Sequence, residues 1–272
     1  MIDAHVHIWR LGRNDCTWPT ADLAAIHRDH ELVEIEQLAV PLGITAAILV
    51  QSQESDRDTD WLVDQVAASP FVAGVVGWAD LASTDIEAGL DALIAAGPLV
   101  GVRAMVQDLP ADAVDDPAMD PGLTALADRD LTLDALIRPR HLAALVRLAE
   151  RHPRLRIVID HAAKPEIGAG AYDRWHEAIA PLARHPLIAC KLSGLLTETA
   201  PEQPPEAVLD YIRAVHALFG SDRLIWGSDW PVLNLRGDYA GWLALARDAI
   251  PVHDHDAVFG RSARAFYPRM RA

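Results

Sequence analysis

Short apolar runs alternate with longer stretches of helical spacing along the whole chain. Residues 44–50, Ile44-Thr45-Ala46-Ala47-Ile48-Leu49-Val50, are β-branched and unbroken by charge. Comparable runs lie at 2–7, 72–76, 100–105, 131–137, 156–160, 187–192 and 223–228. Continuous apolar runs bounded by turns are expected of parallel strands buried on both faces. Between them lie helical signals. Thr84-Asp85-Ile86-Glu87 has the form of a capping box, and Gly97 suits the far end of that helix. Residues 140–151 place Leu142, Leu145, Val146, Leu148 and Ala149 at helical spacing before Pro153. Pro204-Pro205 precede a helix over 206–219 that Gly220 can stop.

Eight strands alternating with helices predict an α/β fold of the (β/α)8 barrel type, with residues 1–272 as one domain. An open doubly wound sheet is the competing architecture, but no GxGxxG or GxxxxGK[ST] follows an early strand. The longest predicted loops, 11–30 and 51–58, follow the first and second strands, where a barrel builds its substrate pocket.

Composition narrows the function. The chain is 51% hydrophobic, enough for one large core, and carries a net charge of -15. That charge argues against nucleic-acid binding and adhesion to anionic membranes. The start, Met1-Ile2-Asp3, has no basic and apolar leader pattern, no run has membrane-span length, and only Cys16 and Cys190 are present. Together these fit a cytoplasmic protein. Trp-rich apolar positions hint at a homo-oligomer.

Polar residues gather where the predicted strands end. His5 and His7 share one face of the first strand, since side chains alternate. Gln51 ends the second strand and Trp78 the third, and Arg103 lies near the end of the fourth. His161 and Lys164 follow the sixth, Lys191 ends the seventh and Asp229 the eighth. In a barrel all these ends open on one mouth. Imidazoles and a carboxylate converging there suit a divalent metal or a metal-free hydrolytic site. Each residue also has a plain structural reading. Asp229 could cap the following helix, His161 could be a bonded loop residue, and Arg103 and Lys191 could pair with acids. Trp9, Trp78 and Trp230 suit either a sugar-stacking wall or the core.

Four segments carry a resemblance: Ile2-Asp3-Ala4-His5-Val6-His7-Ile8-Trp9, Val158-Ile159-Asp160-His161-Ala162-Ala163-Lys164-Pro165, Cys190-Lys191-Leu192-Ser193-Gly194-Leu195 and Trp226-Gly227-Ser228-Asp229-Trp230-Pro231-Val232. In this order they resemble the amidohydrolase superfamily, and within it the lactonase branch, the amidohydrolase 2 group, which acts on sugar-acid lactones such as L-fuconolactone and L-rhamnonolactone. The resemblance implies a (β/α)8 barrel that hydrolyses a small-molecule sugar lactone to its hydroxy acid, in carbohydrate catabolism. It implies that His5, His7, His161 and Asp229 hold one divalent ion, zinc or manganese, or orient water without one. Asp229 and His161 become the catalytic pair, with Asp229 activating water. Gln51, Trp78 and Arg103 correspond to substrate contacts, and Lys164, Lys191, Trp9 and Trp230 join them as candidates by position. Two departures stand out. Val102-Arg103-Ala104-Met105 lacks the carboxylate or lysine that bridges two metals, and Ala104 replaces a histidine common in close lactonases, leaving the lactone open. The alternatives are a metal-dependent decarboxylase on a related barrel, a metal-free hydrolase of a dicarboxylate lactone, and a non-catalytic sugar-acid binder.

Overall fold

The computed structural model describes residues 1–271. Eight strands form one sheet in sequential order: β1 (Ile2–Val6), β2 (Ala46–Val50), β3 (Val72–Gly77), β4 (Leu99–Met105), β5 (Thr132–Leu136), β6 (Arg156–Ile159), β7 (Ile188–Leu192) and β8 (Leu224–Trp226). Each pairs in parallel with the next. The ends meet just beyond β8. Val6 bridges Trp230 in parallel, His7 N–H donates to Trp230 O at 2.8 Å, and Asp229 N–H donates to His5 O at 2.9 Å. The barrel therefore closes at the C-terminal ends of its strands, as the alternation predicts.

The helices are α1 (Leu32–Ala39), α2 (Asp56–Ala68), α3 (Ile86–Ala96), α4 (Asp120–Asp128), α5 (Leu142–Arg151), α6 (Tyr172–Ile179), α7 (Leu209–Phe219), α8 (Tyr239–Ala249) and the short α9 (Ser262–Phe266). α5 shows why they form where they do. Leu142, Leu145, Leu148 and Ala149 lie on one face and are buried against the sheet, each large aliphatic contributing about 2 kcal/mol. α7 starts at Leu209 after a 3-10 turn over Pro205–Val208, and Gly220 ends it. The capping box expected at Thr84 does not form. α3 begins one residue later, with Asp85 at its N-cap and its N–H donating to the Ser83 hydroxyl at 3.2 Å. Gly97 ends α3 as expected.

Two apolar layers result. The larger lies between sheet and helices. The smaller fills the barrel with Ile2, Ala4, Ile48, Val76, Val100, Val158, Ala189 and Ile225, and Phe266 and Tyr267 at the end of α9 pack into it. The strand ends opposite are left to polar groups. No helix among the described residues is long and apolar enough to cross a membrane.

Candidate active site

A cavity of about 500 Å³ opens at the C-terminal ends of the strands, a volume suited to a small ligand. His7, Arg103, His161, Lys164 and Asp229 line it. Asp229 Oδ1 lies 3.3 Å from His7 Nε2, 3.7 Å from His5 Nε2 and 3.9 Å from His161 Nε2. One carboxylate oxygen thus faces three imidazole nitrogens, all buried.

Local backbone aims these groups. His161, Ala162, Ala163 and Lys164 all have positive φ, from 50° to 61°, directly after β6. Left-handed conformation costs roughly 1–2 kcal/mol per non-glycine residue, so neighbours must hold it. Trp175 Nε1–H donates to Ala162 O at 2.8 Å, and Ser193 Oγ lies 2.9 Å from His161 Nδ1. Asp229 also sits at positive φ, 60°, turning its carboxylate inward. Small residues leave room for this. A Cβ at Gly194 would lie 2.5 Å from His161 Nδ1, and one at Gly227 would lie 2.6 Å from His5 Cβ.

Burial governs the electrostatics. It lowers the proton affinity of His5, His7 and His161, that of His161 to a pKa of about 4. The three rings are therefore neutral near pH 7. Burial pushes the Asp229 carboxyl up, but the adjacent imidazoles of His161, His7 and His5 outweigh it and hold the group below the ordinary carboxylate range. Lys164 is lowered by burial, and nearby Glu198 is raised by it.

The donor set fits a single divalent cation. His5, His161 and Asp229 each offer one ligand atom within 4.8 Å of the others, and His7 Nε2 lies 3.1 Å from His5 Nε2. Three imidazoles and a carboxylate are borderline donors that zinc accepts. No bridging carboxylate or lysine stands at β4, where Arg103 occupies the mouth.

Other candidates lie elsewhere. Trp9 and Trp230 do not form a sugar-stacking wall. Both are buried around His30, with ring centroids 5.2 and 5.1 Å from it, because the loop after β1 folds back over them. Trp78 is half-buried outside the cavity lining, its backbone N–H donating to Thr59 Oγ1 of α2 at 2.8 Å. The tryptophan that does line the cavity is Trp18, within the loop 11–30. Gln51 is buried below the cavity beside Arg103, whose guanidinium donates to Gln51 O. Lys191 points into the barrel beneath the histidines and is sealed from the cavity, pairing with Asp134 at 2.5 Å and Asp160 at 3.1 Å. A cation so placed needs these partners, so it does not reach substrate.

Several residues were not singled out from sequence. Ser52, Gln53, Asp15, Thr17, Trp18 and Asp108 line the cavity, beside Gln107, which its place beyond the fourth strand had marked. Loop residues carry no periodicity that would mark them. Asp134 had a signal, since an acid inside the apolar run Leu133-Asp134-Ala135-Leu136 must have a buried partner.

The chain matches the family model described as Amidohydrolase over residues 2–269. It is 46% identical over 268 residues to L-fucono-1,5-lactonase of Burkholderia ambifaria, covering 97% of this chain and 91% of that protein. An L-fucono-1,5-lactonase of Burkholderia multivorans is 30% identical, over 98% and 95% of the two chains. Among solved structures, an amidohydrolase from Burkholderia multivorans with bound zinc superposes with a TM-score of 0.90 at 30% identity, over 98% of each chain.

Proposed function

The chain belongs to the amidohydrolase family, and from its cavity we propose that it hydrolyses a sugar-acid lactone to the free hydroxy acid. The observation that carries this reading is the Asp229 carboxylate oxygen set among three neutral imidazoles at the floor of the cavity. The two L-fucono-1,5-lactonases among its relatives support the substrate class, and a 1,5-lactone of a deoxy-sugar acid is the first candidate. The walls agree with a neutral polyhydroxylated ring. Gln53 and Gln107 offer amides, and Asp15, Glu54 and Asp108 offer carboxylates to hydroxyl groups.

His5, His7, His161 and Asp229 would hold one divalent ion, zinc by analogy with the relative that binds it. When bound, such an ion polarises a carbonyl and makes water more acidic. The chain's own residues do the rest. Asp229, ionised at neutral pH, accepts a proton from a water as that water attacks the lactone carbonyl. Arg103 and Lys164 stand at the cavity as cations for the oxyanion of the tetrahedral intermediate. As the carbonyl re-forms, the bond to the ring oxygen breaks and Asp229 returns its proton to that oxygen. The new carboxylic acid then ionises, releasing one proton per turnover. Trp18 offers its ring to the apolar face of the sugar.

The test is a pH-indicator screen of chelator-treated enzyme on aldonolactones and dicarboxylate lactones, each with and without zinc or manganese. Acid release on a few related sugar lactones is expected. Silence across the sugar lactones, from folded protein with and without metal, would overturn the proposal.

A further inference from the structure

Two groups of opposite sign compete for one nitrogen of His5. Lys191 Nζ lies 3.0 Å from His5 Nδ1, and Asp160 Oδ1 lies 3.5 Å from the same atom. All three residues are buried. Lys191 is held in place by Asp134 Oδ2 at 2.5 Å, which also accepts from Tyr267 Oη at 2.7 Å. The Asp160 carboxylate is held by charge, with Lys191 Nζ 3.1 Å from its Oδ1 and Arg103 NH1 3.5 Å from its Oδ2.

Hydrogen-bond polarity fixes what each neighbour asks of the ring. An ammonium can only donate, so Lys191 requires a lone pair on Nδ1, and a neutral His5 then carries its proton on Nε2. On the far side, His7 Nδ1 lies 2.8 Å from Val50 O, which can only accept. His7 therefore has its proton on Nδ1 and a lone pair on Nε2. His5 Nε2 and His7 Nε2 are 3.1 Å apart, so the His5 proton fits between them, with the Arg103 guanidinium, 3.4 Å from His5 Nε2, the more distant competitor for that nitrogen. One directed chain runs from Lys191 through His5 and His7 to Val50. A cation bound by His5 Nε2 needs the opposite tautomer, with the proton on Nδ1. Asp160 is the acceptor suited to that form, and the ammonium of Lys191 opposes it.

We propose that Lys191 sets the metal affinity of this site, holding His5 in the tautomer that cannot ligate and so keeping divalent binding weak, with Asp160 favouring the ligating form. The proposal rests on the reading that His5, His7, His161 and Asp229 form the metal shell. Ion binding would move the His5 proton from Nε2 to Nδ1, with no net proton released from this ring.

Zinc affinity of chelator-stripped protein, measured by competition with a fluorescent zinc chelator, tests it. Lys191→Met combined with Asp134→Asn removes the donor together with its counter-charge. Zinc should bind this variant about 10–100-fold tighter, and Asp160→Asn about 10–100-fold more weakly, the usual range for partners behind a ligand. A filler role for Lys191 would not tighten binding. Unchanged or weaker affinity in the folded double variant overturns the proposal. Should that variant fail to fold, long-range ¹H–¹⁵N spectra of the histidine-labelled wild type decide. A proton on His5 Nε2 in metal-free protein supports the proposal, and one on Nδ1 overturns it. Asp229→Asn separates the two readings. If it leaves zinc affinity unchanged, the ion sits elsewhere and both fall. If it weakens zinc while the Lys191 variant does nothing, only this proposal falls.

Discussion

Asp229 Oδ1 stands 3.3 Å from His7 Nε2, although the two residues come from opposite ends of the chain. The contact exists because the barrel closes between β1 and the segment after β8, where Asp229 N–H donates to His5 O. A motif split between the first and last strands becomes one site through backbone pairing. The chemistry proposed for it depends on that closure.

The close approach of Gly194 to His161 makes the site sensitive to a single methyl group. A Cβ there would lie 2.5 Å from Nδ1, and φ is 62°, which disfavours alanine as well. Gly194→Ala should displace the His161 ring and lower kcat/KM by about 100-fold, the loss typical of an ångström-scale misplacement. Lactonase kinetics on the variant, with a thermal melt to confirm folding, check this.

Trp18 is the aromatic side chain on the cavity wall, and the proposed stacking acts on bound substrate and transition state alike. Trp18→Ala should raise KM about tenfold and leave kcat nearly unchanged, the signature of lost uniform binding. A fall in kcat at unchanged KM would assign Trp18 a different role.

His30 is buried among Trp9 and Trp230, and neither ring nitrogen has a hydrogen-bond partner among the described residues. Burial, with Arg28 nearby, lowers its pKa to about 4 from an ordinary 6.5. The unfolded chain therefore binds a proton that the folded chain refuses. The stability His30 contributes is fully present above pH 6.5 and is lost as pH falls to 4, on the order of 3 kcal/mol. Asp3 and Asp58, both pushed up to about 6 by burial, act in the opposite sense, so the comparison must be between variants. Urea unfolding at pH 7 and pH 4 should show His30→Phe losing less stability than wild type on acidification.

The architecture was legible because parallel strands buried on both faces leave continuous apolar runs, and all eight appear where those runs lie. Strand ends were legible too, so His5, His7, His161, Arg103, Lys164 and Asp229 were named from position alone. Side-chain direction beneath the mouth was not. Lys191 lies on β7 and Gln51 just after β2, yet both side chains are buried below the mouth, Lys191 because the Asp134 and Asp160 carboxylates draw it down. Which tryptophan meets substrate was also hidden. Trp9 and Trp230 sit beside strand ends in sequence, but the fold of the loop 11–30 buries them and presents Trp18 instead. That choice depends on tertiary packing around His30, for which local pattern carries no signal.

The most direct measurement compares wild type with Asp229→Asn on L-fucono-1,5-lactone by the pH-indicator assay, with circular dichroism to confirm the fold. Asparagine keeps the shape of the side chain and removes its capacity to take a proton. General base catalysis contributes about 10²–10⁴-fold. The account predicts a loss of kcat in that range with KM little changed. Retention of wild-type kcat by a folded Asp229→Asn protein would contradict it.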